Sequence, residues 1–226
     1  MNLNQTIKMA TISFPEIRLH PRDAHKLRGY FGNLFQDVSP LLHNHLEGGG
    51  LRYAYPLVQY KILQDTPTLI GLGEGADLLV QLFLEIKELN IDGKIYPVYG
   101  KNIMVEEVVI GISDKLNTYR FENFWVPLNQ ENHARFQRYT DDEKQDQLNS
   151  IAIRNMISFF KGLGLHLSPD ARVLAIAEVR LQRETQFKDN KMIAFKGLLI
   201  TNALLPNHIG LGKSVSRGFG VVRKIR

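Results

Sequence analysis

The sequence predicts an α+β fold of two tandem ferredoxin-like (RRM-like) domains, antiparallel sheets with helices on one face, and three observations predict it. Over the first half, apolar periodicity runs strand, helix, strand, strand, helix, strand, the order of the split βαβ unit. After a linker near Asp114 to Leu116 the second half begins the same way. The 226 residues, 44% hydrophobic, can supply two cores of about 100 residues each. The expected division is 1–115 and 116–226.

Each element has its own signal. Residues 9–14 read as a strand, and 23–35 as a helix carrying Ala24, Leu27, Phe31, Leu34 and Phe35 on one stripe. Residues 51–71 are β-rich around the turn Gln64-Asp65-Thr66-Pro67 and follow a flexible Gly48-Gly49-Gly50. Residues 77–89 repeat Leu78, Leu79, Leu82, Phe83 and Ile86 at helical spacing, and 102–112 return to a Val- and Ile-rich strand. In the second half, 118–127 read as a strand and 142–162 as an amphipathic helix closed by glycine. Residues 171–182 and 192–204 form a strand pair about a turn at 188–190. Where a second helix belongs, 206–217 offer a glycine-rich loop, followed by a short strand at 219–225.

Lys and Arg number 28 against 23 Asp and Glu, a formal charge of +5, and no residue from Ala203 onward is acidic. Lys213, Arg217, Arg223, Lys224 and Arg226 make this end the natural place to meet a polyanion. With no cysteine there is no disulfide, thiolate metal site or thiol nucleophile. No signal-peptide pattern opens the sequence and no apolar run of about 18 residues could cross a bilayer, so a cytoplasmic protein without membrane contact is expected.

The C-terminal loop is spaced G-x-G, five residues, G-x-G, through Gly210, Gly212, Gly218 and Gly220. Glycines let successive amides approach phosphate oxygens, and Lys213, Ser214, Ser216 and Arg217 add side-chain donors, so a phosphate-backbone clamp is expected. The bland alternative is a tight turn between two strands. Gly212-Lys213-Ser214 imitates the end of a nucleotide-binding P-loop, but Asn207 stands where that motif needs glycine and no long helix follows.

On this loop the chain resembles the CRISPR-associated endoribonucleases that process precursor crRNA, the Cas six type. The stretches Lys26-Leu27-Arg28-Gly29-Tyr30, Leu41-Leu42-His43-Asn44-His45 and Tyr53-Ala54-Tyr55-Pro56-Leu57-Val58-Gln59-Tyr60 resemble its b subgroup in particular. The resemblance implies binding of CRISPR repeat RNA, cleavage through histidines of the segment holding His43 and His45, and no cofactor or metal. It also implies transfer of the product to other Cas proteins and a possible homodimer.

The chemistry suits the residues. RNA is cut without metal when its 2′-hydroxyl attacks the adjacent phosphorus, which needs a base for that proton and an acid for the leaving 5′-oxygen. Histidine serves both near neutrality. In an extended segment His43 and His45 would share a face roughly 6.5 to 7 Å apart, wide enough to flank a phosphate. Tyr53, Lys61 and Arg52 are candidate helpers, a cation near the phosphorane stabilising its charge. Arg52 and Arg223 join the glycine loop as RNA-binding candidates. His25 is a weaker catalytic candidate.

Competing readings remain at this level. His43, His45 and Glu47 could hold a metal for hydrolysis, and the chain could bind RNA without cutting it. Tyr53, Tyr55 and Tyr60 could stack bases, although such a series is more often core. His20, His133, His166 and His208 carry no pattern, and the last two are most simply solvated.

Overall fold

The computed structural model describes residues 3–35, 55–187 and 190–225. By internal contacts the chain divides into two units. One comprises Thr6–Val108 with Ser216–Gly218; the other comprises Met1–Gln5, Val109–Val215 and Phe219–Arg226.

The N-terminal unit opens on β1 (Asn4–Ser13) and α1 (Ala24–Leu34), followed by the hairpin of β2 (Val58–Leu63) and β3 (Thr66–Leu72). Gln64 and Asp65 turn that hairpin with φ of 49° and 63°, the left-handed pair that matches strand twist. Then come α2 (Glu74–Leu82), a single 3-10 turn at Phe83–Glu85, a small hairpin of β4 (Glu88–Ile91) and β5 (Lys94–Pro97), and the long β6 (Asn102–Phe121). The sheet order β2-β3-β1-β6 is the ferredoxin-like one. Its core forms where α1 lays Leu27 and Phe31 against β1 and β2. Phe31 stacks on Tyr60 with ring centroids 5.8 Å apart and on Phe35 at 6.2 Å.

The C-terminal unit repeats the order with β6, α4 (Asp141–Gly162), β7 (Ala175–Phe187), β8 (Asn190–Leu204) and β9 (Val222–Lys224). β8 lies between β6 and β7, and β9 pairs with β6. A short α3 (Gln130–Phe136) precedes α4. The inner face buries Tyr119, Phe121, Ala177, Phe195 and Leu199. α4 supplies Leu148, Ile151, Met156, Phe159 and Phe160 to the core, and its Gln145 donates to the Ala177 carbonyl at 3.0 Å. Among the described residues no second long helix follows β8. The loop stands in its place, with a 3-10 turn at Val215–Arg217.

Several expected boundaries are corrected. The linker expected at Asp114 to Leu116 is strand: β6 runs unbroken through it, with a register shift against β8 between Ile112 and Asn117 that absorbs these residues as an irregularity. The helix expected at 77–89 starts earlier and stops at Leu82, because 88–91 pair with 94–97. Both that hairpin and α3 were absent from the sequence reading. Lys188 and Asp189 of the expected turn lie outside the described residues.

The start of α4 is set by a reciprocal cap. Thr140 Oγ1 accepts from the Glu143 amide at 3.3 Å, and the Glu143 carboxylate accepts from the Thr140 amide at 2.8 Å. Thr140→Ala is expected to lower unfolding free energy by about 1 kcal/mol in urea titration, with an unchanged m-value.

Candidate RNA-binding site

The glycine-rich loop is held down by its own backbone. Leu211 N–H donates to the Gly220 carbonyl, Lys213 N–H to Val126 and Gly220 N–H to Phe124, each at 2.9 Å, and Gly210 bridges Val221. The clamp reading is therefore corrected in one respect: the amides of Leu211, Lys213 and Gly220 already serve the fold. The glycines are needed for close approach. Gly212 has φ of 89°, and a Cβ there would come within 2.7 Å of Trp125 Nε1; Gly220 has φ of 66° and would collide with the Leu211 carbonyl. Gly210 has no positive φ.

The polar side chains remain. Lys213 is exposed, while Ser214, at φ of 57°, and Ser216 are half-buried. Arg217 is half-buried too, and desolvation together with the positive charge of Arg28 holds its guanidinium below the usual arginine range. Arg28 belongs to α1, and Ser216–Gly218 is the part of the loop that belongs to the N-terminal unit. There a Cβ on Gly218, whose φ is 89°, would lie 2.7 Å from Ala24 Cβ and 3.3 Å from the Tyr60 carbonyl. Two arginines with that mutual influence, one on α1 and one on the loop, form a positive focus that suits a phosphate. Arg28 was missed as a site residue, although Lys26 to Tyr30 carried the resemblance. Helical spacing alone does not say which loop a residue meets.

Arg223 lies on β9, exposed, with its Nε 2.6 Å from Glu122 Oε1; His208 Nε2 is 3.5 Å from the other oxygen of that carboxylate, so His208 is partnered rather than simply solvated. His43, His45, Glu47, Arg52 and Tyr53 lie outside the described residues. What the structure does place is the two flanks of their segment. α1 and Phe35 pack in the core on one side. On the other, Tyr55 is buried with its hydroxyl accepting from Gln59 Nε2 at 2.9 Å.

Tyr60 is wholly buried against Phe31, and burial pushes its hydroxyl pKa up; of the tyrosine series, Tyr55 and Tyr60 are core. His25 is exposed on α1 with Nδ1 2.7 Å from the Arg22 carbonyl. Among the described residues no three His, Asp or Glu side chains gather into a metal site, and no helix is long and apolar enough to cross a membrane.

Lys61 is also fully buried, on the face of β2 opposite Tyr60, and desolvation drives its ammonium down to about 7.

Comparison with known proteins completes the assignment. Residues 5–109 match the Cas6b N-terminal domain and residues 111–225 the Cas6b C-terminal domain. These two matches place the chain among the CRISPR-associated endoribonucleases of the Cas six type. The chain belongs to the Cas6b family, as its resemblance implied. A crystal structure of Cas6b superposes with a TM-score of 0.91 at 30% identity, covering 98% of this chain and 100% of the other. A second, described as CRISPR RNA processing endoribonuclease Cas6b, gives 0.77 at 27% with the same coverage. The Uncharacterized protein MJ0978 of Methanocaldococcus jannaschii is 29% identical over 145 residues, 64% of this chain and 97% of that protein.

Two outcomes follow from this geometry. Gly212→Ala is expected to cost about 1–3 kcal/mol through backbone strain and to shift the emission of Trp125, the sole tryptophan. Fluorescence-monitored urea unfolding reads both. For Lys61, the unfolded chain keeps the proton up to the ordinary lysine value of 10.5, whereas the folded chain releases it near 7. The unfolded state therefore binds more protons between those values, and stability rises with pH across that window. The burial cost is fully present below about pH 7. Lys61→Met is expected to flatten the rise and to stabilise most at pH 6, measured by thermal unfolding from pH 6 to 10.

Proposed function

We propose that the chain is a metal-independent endoribonuclease that cleaves CRISPR repeat RNA, the precursor crRNA, by attack of the RNA's own 2′-hydroxyl. The observation that carries the anchoring half of this reading is the positive focus of Arg28 and Arg217, beside the polar donors of the glycine loop. Lys213, Ser214, Ser216 and Arg217 engage the backbone, with Arg52 and Arg223 extending the contact. Family membership supports the choice of RNA, and the processing activity named for the 27%-identical Cas6b supports the reaction.

His43 and His45 divide the proton transfers. One takes the proton of the 2′-hydroxyl as its oxygen forms a bond to phosphorus. The other gives a proton to the 5′-oxygen as the P–O5′ bond breaks. The products are a 2′,3′-cyclic phosphate and a 5′-hydroxyl. Tyr53 assists at the reacting phosphate, and cations nearby stabilise the added negative charge of the phosphorane. The processed RNA passes to other Cas proteins, and the chain acts as a homodimer.

The test is incubation with the cognate repeat RNA in EDTA, beside the same RNA carrying a 2′-deoxy nucleotide at the cut site. Cutting in EDTA that the deoxy substitution abolishes is expected. His43→Ala and His45→Ala should each lower the single-turnover rate about 10²- to 10⁴-fold while keeping most of the affinity. Cutting that returns only with added divalent metal would transfer the site to a metal hydrolase using His43, His45 and Glu47. Tight binding without cutting under any condition would make the chain an RNA-binding subunit.

A further inference from the structure

Apart from Arg223, the open face of the C-terminal sheet has no role in the reading above. Across β6, β8 and β7 the register sets Arg120 beside Leu198 and Glu178, and Thr118 beside Ile200 and Ile176. The alternate residues Tyr119, Leu199 and Ala177 are buried on the inner face, so the first set points away from the core. The open face forms a groove of about 850 Å³ whose charged lining is Arg120, Arg180, Lys196 and Arg223 against Glu122 and Glu178. Arg120 stands directly across from Arg223 in the β6–β9 register, a like-charge pairing that sheets disfavour unless an anion lies near. Glu122 takes Arg223, and Arg180 lies 3.8 Å from Glu178; among the described residues Arg120 has no carboxylate partner.

At one end of this face the ring of Phe124 is half-buried. Lys196 Nζ lies over it at 5.2 Å from the centroid and the Arg183 guanidinium carbon at 6.0 Å. The Phe124 carbonyl accepts the Gly220 amide, so the residue that carries this ring is tied through its main chain to the last glycine of the loop. A half-buried aromatic flanked by two cations, beside a cationic groove and on a residue bonded through its main chain to the glycine loop, offers a π face and phosphate partners at once.

We infer that this face is a second RNA-contact surface, in which one unpaired base of a single-stranded segment stacks on Phe124 and the adjoining phosphates run past Lys196 and Arg120. The inference rests on the reading of the chain as an RNA-binding protein. The base takes the place of one cation over the ring, and that cation meets the neighbouring phosphate. Sequence tolerance follows, since every base has a π face. The surface binds and orients; it does not touch the reacting atoms.

The test compares the wild type with Phe124→Leu, which keeps apolar bulk and removes the π face, and with Arg120→Gln, an exposed change that spares the core. Two probes separate the readings: the repeat RNA, and an unrelated single-stranded oligoadenylate containing one 2-aminopurine. Phe124→Leu is expected to weaken both about tenfold and to abolish quenching of the 2-aminopurine. Arg120→Gln should weaken both about three- to tenfold and lower the slope of log affinity against log salt by about one. Cleavage of saturating repeat RNA should proceed at the wild-type rate in both. Unchanged affinity and quenching in folded Phe124→Leu, or no oligoadenylate binding by the wild type, would overturn the inference even if repeat RNA is cut. Loss of oligoadenylate binding in the variants would uphold it even if repeat RNA is never cut.

Discussion

The C-terminal unit is organised around the indole of Trp125. Its ring stacks on Phe121 at 5.1 Å, lies 6.4 Å from Phe195 of β8, and donates Nε1–H to Asn155 of α4 at 3.1 Å. Its backbone bridges Phe195, and the space above the ring is filled by Gly212. One large side chain thus ties β6, β8, α4 and the glycine loop together. Any residue with a Cβ at 212 would have to displace the ring that fixes the other three.

That constraint shapes how the loop can bind. A loop whose amides point outward would owe its grip on RNA to backbone alone, as in phosphate-binding nests. Here several of those amides are spent on neighbouring carbonyls, so the loop is a rigid mount for side chains. Side chains carried on so tied a backbone lose little freedom when a ligand arrives, which favours affinity through preorganisation.

Much of this was legible in the sequence because the signals were local. The Asp65 turn, the stripe of α1 and the amphipathic pattern at 142–162 each declare an element without reference to anything distant. Strand merging was not legible: Asp114 to Leu116 read as a linker, and only pairing with β8 on either side turns them into an irregular stretch of one strand. The β4–β5 hairpin carried its signal in Asp92-Gly93, both at positive φ, but the strands are so short that the helical pattern before them masked it. Lys61 could be placed on β2 from the sequence, whereas its complete burial depends on what covers that face. The same holds for the open face: alternation shows that Arg120 points outward, but its position opposite Arg223 is a matter of register.

Among the described residues β7 ends the order of strands in its sheet, and of its outer main-chain groups those of Ala177 are met by Gln145 and Asn149 side chains of α4. Leu174, Ile176 and Leu181 are about half exposed along this edge, a composition that invites another chain to add a strand. The register shift between Val179 and Leu181 breaks the straight edge, and Glu178, Arg180, Arg183 and Glu184 set charges of both signs along it. A straightened or neutralised β7 would be a template for intermolecular β-pairing. The irregularity in this strand is therefore a safeguard of colloidal behaviour, keeping a protein with an open, partly apolar sheet from polymerising through its own edge.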